Sequence, residues 1–335
     1  MADPGFGRLN MQMSKNESPV PVENFRQLSR YYREALYPGE HQLISEVIER
    51  FDRSSCAELV KFVDANNEKL AVPWELRRVW RLAKLSADEK AKHYVNYAAD
   101  AMEAGRRDVE LLRSFLDREG LMQNSRGARI LDLGTGRGNF LVAAQGQPAF
   151  SAWQFEGTDM DMASLLINLK MNEELGHRNF KLACSYGENL PYEDGAFNVI
   201  ASFQTLEHVG NSERQTAFVS EACRCLAAGG IAVFTFPNRF DVLRPEPHVY
   251  IRFLGFVPQC LKDRVSMAFR GMPSSDIYPP DIITLRRGLK RIKGVTFSLH
   301  STSELSPSAW KRTLAKSSVF RMFGPWNVLV GRKQP

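Results

Sequence analysis

Cysteine is scarce in this sequence, and its spacing argues against several kinds of site. The chain of 335 residues holds five cysteines, an odd number with no C-x-x-C pair. Cys223 and Cys225 lie two positions apart on a predicted helix, where such residues do not face one way. We therefore expect neither a disulfide framework nor a metal site, and predict reduced thiols in a cytoplasmic protein.

Long apolar runs are also missing. The mean hydropathy is −0.31, and no stretch approaches the roughly 20 apolar residues that span a bilayer. Residues 1–24 have no apolar segment of the kind found in secretory signals, and we predict a disordered leader there. These features predict a cytoplasmic protein, for which peripheral contact with a membrane stays open.

Positive charge is concentrated towards the end of the chain. The net charge is +6, and the segment from Arg239 to Pro335 holds 17 Lys and Arg against 6 Asp and Glu. A basic segment favours an anionic partner: a phosphate-bearing substrate, a membrane surface or a nucleic acid. A solvated basic face without a partner is an equal alternative.

Residues 25–123 have the apolar periodicity of helices. In His41–Phe51 and Arg106–Leu116 the apolar residues recur at intervals of three and four, as on one face of a helix. Asp88 is predicted to cap a helix that runs from Glu89 towards Gly105. We interpret this helical region as a lid or a substrate-binding part.

From residue 124 to residue 335, short apolar runs alternate with helical stretches. The predicted strands are Arg129–Leu133, Gln154–Thr158, Phe180–Cys184, Phe197–Ser202 and Ile231–Phe236, with Val295–His300 and Asn327–Gly331 as two more. The helices between them are Asn139–Gln145, Met162–Leu175 and Arg214–Leu226. This alternation predicts an α/β fold with a doubly wound, parallel sheet. An insertion at residues 238–278 carries aromatic and basic residues, and we predict that it covers a substrate.

A glycine-rich turn follows the first predicted strand. Residues 130–138 read ILDLGTGRG; glycines permit a tight turn and close approach of a ligand to the backbone. A dinucleotide site has glycine where Asn139 stands, which disfavours an NAD-dependent oxidoreductase. Asp132 would repel a pyrophosphate and attract an ammonium group. Asp159, at the end of the next strand, is placed to bind ribose hydroxyls. The pattern therefore favours a nucleoside that carries an amino acid.

Four segments in order resemble a class I S-adenosylmethionine-dependent methyltransferase, between Ala128 and Lys333. ILDLGTGRGNF is similar to its motif I, and GTDMD to the acidic end of its second strand. LPYEDGAFNVIASFQTLEHV and LAAGGIAVFTFPNR are similar to its later segments. The TPN-like ending, followed by residues 246–249 (EPHV), resembles the branch with ubiquinone-type and glycan-modifying O-methyltransferases. The resemblance implies a Rossmann-like, seven-stranded, mostly parallel sheet and S-adenosyl-L-methionine as cofactor.

The resemblance also implies roles for individual residues. Asp132 and the glycines would contact the methionine part of the cofactor, and Asp159 would hold the ribose diol. Met160 would pack on the adenine, and Gln204 would lie near the sulfonium. The complete set of predicted cofactor-binding residues is Asp132, Gly134, Thr135, Gly136, Gly138, Asp159, Met160, Gly187, Glu188 and Gln204.

One position departs from the family pattern. Many relatives carry Asp before the residue that matches Gly187, where it binds the adenine amino group. This chain has Tyr186 there. Glu188 or a backbone carbonyl is expected to take over that contact.

Two histidines are candidates for the chemistry. Methyl transfer to oxygen or nitrogen requires removal of a proton, for which a histidine is suited. His208 follows the fourth strand, at the carboxyl edge where doubly wound sheets bind ligands. His248 lies in the insertion at the same edge. We predict His248 as the base or as the group that orients the acceptor, with His208 as the second candidate; an ordinary packing role is the alternative for each.

The sequence thus predicts a methyltransferase that O-methylates a small-molecule, lipid-linked or glycan acceptor. A nucleic-acid methyltransferase is one alternative, although residues 202–205 (SFQT) lack the N/D-P-P-Y/F pattern of enzymes that methylate base amino groups. A regulator that binds S-adenosylmethionine without catalysis is another, although motif I is intact. No motif specifies the acceptor or the oligomeric state.

Overall fold

The structure is a computed structural model. It describes residues 40–70, 73–122, 127–271, 274, 277–305, 308–317, 320, 323–324 and 326–335. The predicted leader, residues 1–24, and the first part of the predicted helical region, residues 25–39, lie outside the described residues.

Five α-helices precede the sheet in the part of the chain that the structure describes. They are α1 (Glu40–Arg50), α2 (Cys56–Leu70), α3 (Pro73–Ala83), α4 (Ala87–Val95) and α5 (Tyr97–Arg118). The prediction that Asp88 caps a helix from Glu89 is wrong. Ser86 is the cap, because its hydroxyl accepts from the Glu89 N–H while the Glu89 carboxylate accepts from the Ser86 N–H. This reciprocal pair satisfies two N–H groups that helix formation leaves without partners.

The sheet has seven strands in the order β3-β2-β1-β4-β5-β7-β6. They are β1 (Arg129–Leu133), β2 (Gln154–Asp159), β3 (Phe180–Cys184), β4 (Phe197–Phe203), β5 (Leu226–Phe236), β6 (Val295–Ser301) and β7 (Asn327–Lys333). β7 alone runs opposite to the other six strands, so the predicted seven-stranded, mostly parallel sheet is confirmed. The chain reverses its direction of winding between β1 and β4, which lie side by side. In such sheets ligands bind at the carboxyl ends of the strands at this reversal.

Helices cover both faces of the sheet. They are α6 (Asn139–Gln145), α7 (Met162–Glu174), α8 (Ser212–Cys225) and α10 (Ile282–Leu289), and a further short helix, α11 (Ala309–Ala315), lies between β6 and β7 in the chain. Neighbouring residues of β1 point to opposite faces. Ile130 joins one core with α6, α7 and the N-terminal helices, whereas Leu131 joins another with α8 and α10. The N-terminal helical region therefore packs directly on one face.

The fifth strand is longer than predicted. It begins at Leu226 rather than at Ile231, and α8 ends at Cys225. Phe197 pairs with Leu226 and Val199 pairs with Ile231, so the register shifts between them. The intervening residues contain Gly229 with φ of 75°, a conformation that glycine adopts without strain. Periodicity did not reveal this irregular extension.

The insertion between β5 and α10 is folded. It contains a 3-10 turn at Leu254–Phe256 and a helix, α9 (Gln259–Arg270). Val249, Leu254 and Ile277 form a small core of their own, against which Trp80 of α3 packs. The insertion and the N-terminal helical region therefore meet. None of the helices that the structure describes is long and apolar enough to cross a membrane.

Candidate active site: a cleft at the sheet edge and a histidine pair

A cleft of about 390 Å³ opens at the carboxyl ends of β1, β2 and β4. It lies where the reversal of winding places a ligand site. The lining residues from the N-terminal helices are Arg78, Tyr97 and Asp108, and those from the sheet domain are Asp132, Gly134, Thr135, Gly136, Arg137, Asn139, Phe140, Asp159, Met160, Asp161, Ser164, Phe203, Gln204, Thr205 and His208. Most of the predicted cofactor-binding residues thus surround one cavity.

The glycine-rich turn has the backbone conformation that only glycine adopts readily. Gly134, Gly136 and Gly138 have φ of 79°, 51° and 90°. A Cβ on Gly134 would lie 2.2 Å from the Thr205 side chain, and one on Gly138 would lie 2.3 Å from that of Asn168. Nothing lies within 4 Å of the Cβ position of Gly136. Gly134 and Gly138 are therefore needed for packing, whereas Gly136 leaves the turn open to a ligand.

Asp159 ties the turn to the end of β2. Its Oδ2 accepts from the Gly136 N–H at 2.8 Å, and its Oδ1 accepts from the Asp161 N–H at 2.8 Å. Two backbone N–H groups fix the carboxylate where β2 ends. A carboxylate held in this way fits the ribose diol of a nucleoside, which offers two hydroxyl donors.

Acidic groups give the cleft its charge preference. Burial raises the pKa of Asp132 to about 7, opposed by the hydrogen bond from the Thr135 hydroxyl at 2.6 Å, with Asp108 and Asp159 raising it further. Burial also raises the pKa of Asp108 to about 7. Four carboxyls line this cavity, those of Asp108, Asp132, Asp159 and Asp161, and they favour a positively charged ligand. A sulfonium nucleoside with an ammonium group has that charge, so the residues present fit S-adenosylmethionine.

A buried ion pair attaches the N-terminal helices to the turn. Arg137 donates to the Asp64 carboxylate at 2.9 Å, and both side chains are almost fully buried. Arg78 lies 3.7 Å from the same carboxylate. Sequence reasoning missed these residues and Asp108, although Arg137 stands within the turn. Nothing in the periodicity of α2 or α5 distinguishes a polar residue that packs against another domain from a solvated one.

Gln204 stands at the end of β4 in a strained conformation. Its φ is 55°, in the left-handed region that residues with a side chain rarely adopt. Among the described residues, Tyr250 and Phe253 of the insertion share this property. Such strain occurs mainly at functional sites. Gln204 lines the cleft, and the other two line a second cavity.

The second cavity lies under the insertion and has a volume of about 290 Å³. Aromatic and basic side chains contribute to its lining, namely Arg239, Arg244, Tyr250, Phe253, Lys262 and Trp326. Lys262 is buried, and burial lowers its pKa to about 8 with the help of the nearby Arg239 charge. An ammonium group withdrawn from water is stabilised by an anion that reaches the cavity.

The two candidate histidines lie together between the cavities. Their rings meet edge to face with centroids 5.0 Å apart. His208 lines the cleft, whereas His248 follows Glu246 and Pro247, which line the second cavity. The Nδ1 atom of His248 lies 2.6 Å from Glu246 Oε1. Although burial opposes ionisation, hydrogen bonds from His248 and Val249 hold the pKa of Glu246 below its usual value.

Four predicted site residues do not line the cleft. Gly138 is the N-cap of α6 and packs against Asn168 of α7. Gly187 contacts Phe218 of α8, and the Glu188 carboxylate pairs with Arg214 at 2.7 Å. His248 is absent from the cleft lining, although its ring meets that of His208. Their assignments to the cofactor or to catalysis stay predictions.

Residues 102–259, slightly less than half of the chain, match the family model described as "Methyltransferase domain". No curated protein matches the chain. This segment is thus similar to a methyltransferase domain, and the lining of the cleft fits the S-adenosylmethionine that the sequence predicts as cofactor. Assignment to the ubiquinone-type and glycan-modifying branch stays a prediction.

Several solved structures are similar to the chain. A candidate sarcosine dimethylglycine methyltransferase from Galdieria sulphuraria has 16% identity and a TM-score of 0.45, over 68% of this chain and 86% of that one. The [4+2]-cyclase SpnF has 19% identity and a TM-score of 0.41, over 65% and 81%. Phosphoethanolamine N-methyltransferase 2 from Haemonchus contortus, in complex with S-adenosyl-L-methionine, has 15% identity and a TM-score of 0.42, over 65% and 53%. The chain thus spans about half the length of the last of these.

Proposed function

We propose that this chain is an O-methyltransferase whose acceptor binds under the insertion and presents a hydroxyl group to the cleft. The position of the histidine pair carries this proposal. His208 belongs to the cofactor cleft, and His248 belongs to the loop that lines the second cavity. A donor in one cavity and an acceptor in the other would therefore meet at these two rings.

The cofactor supplies an electrophilic methyl group on a sulfonium. The residues of the chain would orient the reactants: Asp132 and Asp159 would fix the two ends of the cofactor, and Gln204 would lie near its sulfonium. Such positioning is worth about 7–11 kcal/mol in a bimolecular reaction. A hydroxyl acceptor must also lose a proton. The imidazoles of His208 and His248 would accept it, because they lie between the two cavities.

The charges under the insertion support an acceptor with an anionic group. Arg239, Arg244 and the buried Lys262 line that cavity together with aromatic rings. An aromatic or sugar hydroxyl compound that carries a phosphate fits this combination. Asp241 and Glu246 also contribute to the lining, but Glu246 is engaged by His248 and by two backbone N–H groups.

Exposed apolar side chains on the insertion support a lipid-linked form of the acceptor. Tyr250, Phe253, Phe256, Met267 and Phe269 are all substantially exposed, on a segment that also carries arginines. Aromatic and basic residues on one surface favour contact with anionic membranes. We expect co-sedimentation with vesicles containing phosphatidylglycerol and loss of it in Phe253→Ser/Phe269→Ser. Equal sedimentation of this variant would reject the membrane contact.

The proposed function is tested in two steps. Calorimetry with S-adenosylmethionine measures binding, and formation of S-adenosylhomocysteine measures turnover with phenolic and sugar hydroxyl compounds, each with and without a phosphate group. We expect binding, and turnover that is faster with the phosphorylated compounds. Lys262→Met should raise the KM for these compounds without changing cofactor affinity. Binding without turnover on any acceptor would favour the non-catalytic regulator, and no binding would exclude the proposal.

A further inference from the structure

Glu207, His208 and His248 form a cluster of side chains with the chemistry of a metal site. One ligand atom from each of the three lies within 4.8 Å of the others. The closest recorded approach is 3.8 Å, between Glu207 Oε1 and His248 Nε2. Ligands bound at about 2.1 Å to one ion lie at most about 4.2 Å apart. A small rotamer adjustment therefore brings all three onto one cation.

The backbone holds these ligands in place before any ion binds. Glu207 and His208 share the 3-10 turn Leu206–His208, which the His208 N–H closes onto Thr205 at 2.8 Å. The Tyr278 N–H, at the end of the insertion, donates to the Glu207 carbonyl at 2.7 Å. This hydrogen bond therefore fixes the turn with Glu207 and His208 to the end of the insertion, which also carries His248. A site on a fixed backbone needs little ordering when it binds an ion.

Glu246 orients the third ligand. Its Oε1 lies 2.6 Å from His248 Nδ1, and its Oε2 accepts from the His248 and Val249 N–H groups at 2.8 and 2.7 Å. The carboxylate thereby places the proton of His248 on Nδ1 and leaves Nε2 as an electron-pair donor towards Glu207. Metal-binding histidines almost always donate their other ring N–H to such a carboxylate, to a backbone carbonyl or to water.

Burial and exposure also match a metal site with an open position. Glu207 is fully buried, and a carboxylate withdrawn from water is stabilised by positive charge. His208 is exposed and lines the cofactor cleft. A cation here would therefore be bound by Glu207 on its buried side and remain accessible from the cleft. Catalytic metal sites keep such an open position, whereas structural sites are closed.

We infer that Glu207, His208 and His248 bind a divalent first-row transition-metal ion at the edge of the cofactor cleft. Imidazole ligands favour ions such as Zn²⁺, Co²⁺ or Ni²⁺ over Mg²⁺, which prefers oxygen ligands. Binding of the ion is independent of the reaction, but its role rests on the proposed function. With both imidazoles bound to the ion, a hydroxyl group that reaches the ion gives its proton to solvent instead of to a histidine. Its oxygen then forms a bond to the methyl carbon, and the electrons of the breaking C–S bond remain on sulfur.

Metal binding is measured on the full chain, without an affinity tag and after dialysis against a chelator. We expect one Zn²⁺ per chain by calorimetry and a visible absorption spectrum with Co²⁺, with Mg²⁺ at least about tenfold weaker. His208→Ala and His248→Ala should each weaken Zn²⁺ binding by more than about 100-fold. Glu246→Gln should weaken it by about 10–100-fold, the effect of losing the partner of a ligand.

His300 provides the matched control. It also has a carboxylate partner, since its Nδ1 lies 3.0 Å from Glu304 Oε2, but it belongs to no cluster of three ligands among the described residues. His300→Ala should leave Zn²⁺ affinity unchanged. Glu207→Gln, which preserves side-chain shape, serves as a second test if a histidine variant does not fold.

The outcomes separate this inference from the proposed function. Absence of stoichiometric Zn²⁺ and Co²⁺ binding, or equal loss in His300→Ala, would overturn the metal site. If S-adenosylmethionine still binds and turns over in that case, the proposed function stands. Stoichiometric metal binding in a chain that shows no heat with S-adenosylmethionine would support the metal site and reject the proposed function.

Discussion

The two cavities of this protein are built in different ways. The cofactor cleft is formed by strand ends, by a turn with three positive-φ glycines and by a carboxylate held by two backbone N–H groups. The cavity under the insertion is formed by an irregular segment with two strained aromatic residues and a small core of its own. Regular elements fix a shape that suits one cofactor. An irregular insertion on the same frame is free to suit a particular acceptor, which is where specificity is expected.

The N-terminal helices are attached to the cofactor cleft by the buried ion pair between Asp64 and Arg137. Asp64→Ala would leave Arg137 buried without its counter-charge, so we expect the free energy of unfolding to fall by about 3–5 kcal/mol. Urea unfolding followed by circular dichroism measures this change. The control is Glu103→Ala in the exposed pair with Arg106, which should cost less than about 1 kcal/mol. Similar losses in the two variants would show that the helices are not held by the buried pair.

The next prediction tests whether the glycine-rich turn shapes the cofactor cleft. Gly134→Ala places a Cβ 2.2 Å from Thr205 in a left-handed backbone, so the turn must rearrange. We expect a loss of cofactor affinity of more than about 30-fold, in line with about 2 kcal/mol of strain. Titration calorimetry with S-adenosylmethionine measures this affinity.

Gly176→Ala is the matched variant for the turn. Gly176 has φ of 74° and nothing within 4 Å of its Cβ position. Only stability should fall, by about 1 kcal/mol, with cofactor affinity unchanged. If both variants bind the cofactor equally well, the turn is not the cofactor site.

The affinity of the cofactor cleft for S-adenosylmethionine should depend on pH through Asp132. Burial raises the pKa of Asp132 to about 7, and a cofactor ammonium group favours its ionised form. Affinity for S-adenosylmethionine should therefore rise as the pH increases to about 7 and level off above it. Titration calorimetry between pH 5.5 and 8.5 measures this trend, and Asp132→Asn should flatten it. A steeper dependence in the variant would contradict the assignment.

Stability of the ligand-free protein should change in the opposite direction. A carboxyl whose pKa is raised by folding binds more protons in the native state than in the unfolded state. The free energy of unfolding should therefore decrease from about pH 4 to about pH 7 through Asp132, and through Asp108, whose pKa is also raised to about 7.

The smallest effect is expected at Glu188. Sequence reasoning assigned it to the adenine, but its carboxylate pairs with Arg214 outside the cleft. Glu188→Gln should change cofactor affinity by less than about twofold, because one partly exposed ion pair contributes little. A tenfold loss would restore the sequence-based assignment and would mean that the cofactor extends beyond the cleft lining.

The cofactor side was largely predictable from sequence, for a physical reason. Strand, turn and helix follow one another within residues 129–145, so the glycines and Asp132 come into register through local chain geometry alone. Asp159 follows because a crossover returns the chain to the same edge. The insertion offered no such regularity. Contacts within it, such as that of Glu246 with His248, depend on an irregular backbone that no periodicity describes. The sequence-based preference for His248 over His208 therefore could not take account of which ring lines the cleft.

Sequence alone determined the order of strands and helices, the conformation of the glycine turn and the class of ligand that it suits. These depend on interactions between residues close together in the chain. Tertiary structure alone decided that Asp64 neutralises Arg137, that Asp108 joins Asp132 in one cavity, and that Glu207 and two histidines meet. Those contacts join segments dozens of residues apart, and burial and electrostatics act only after folding has removed the segments from water.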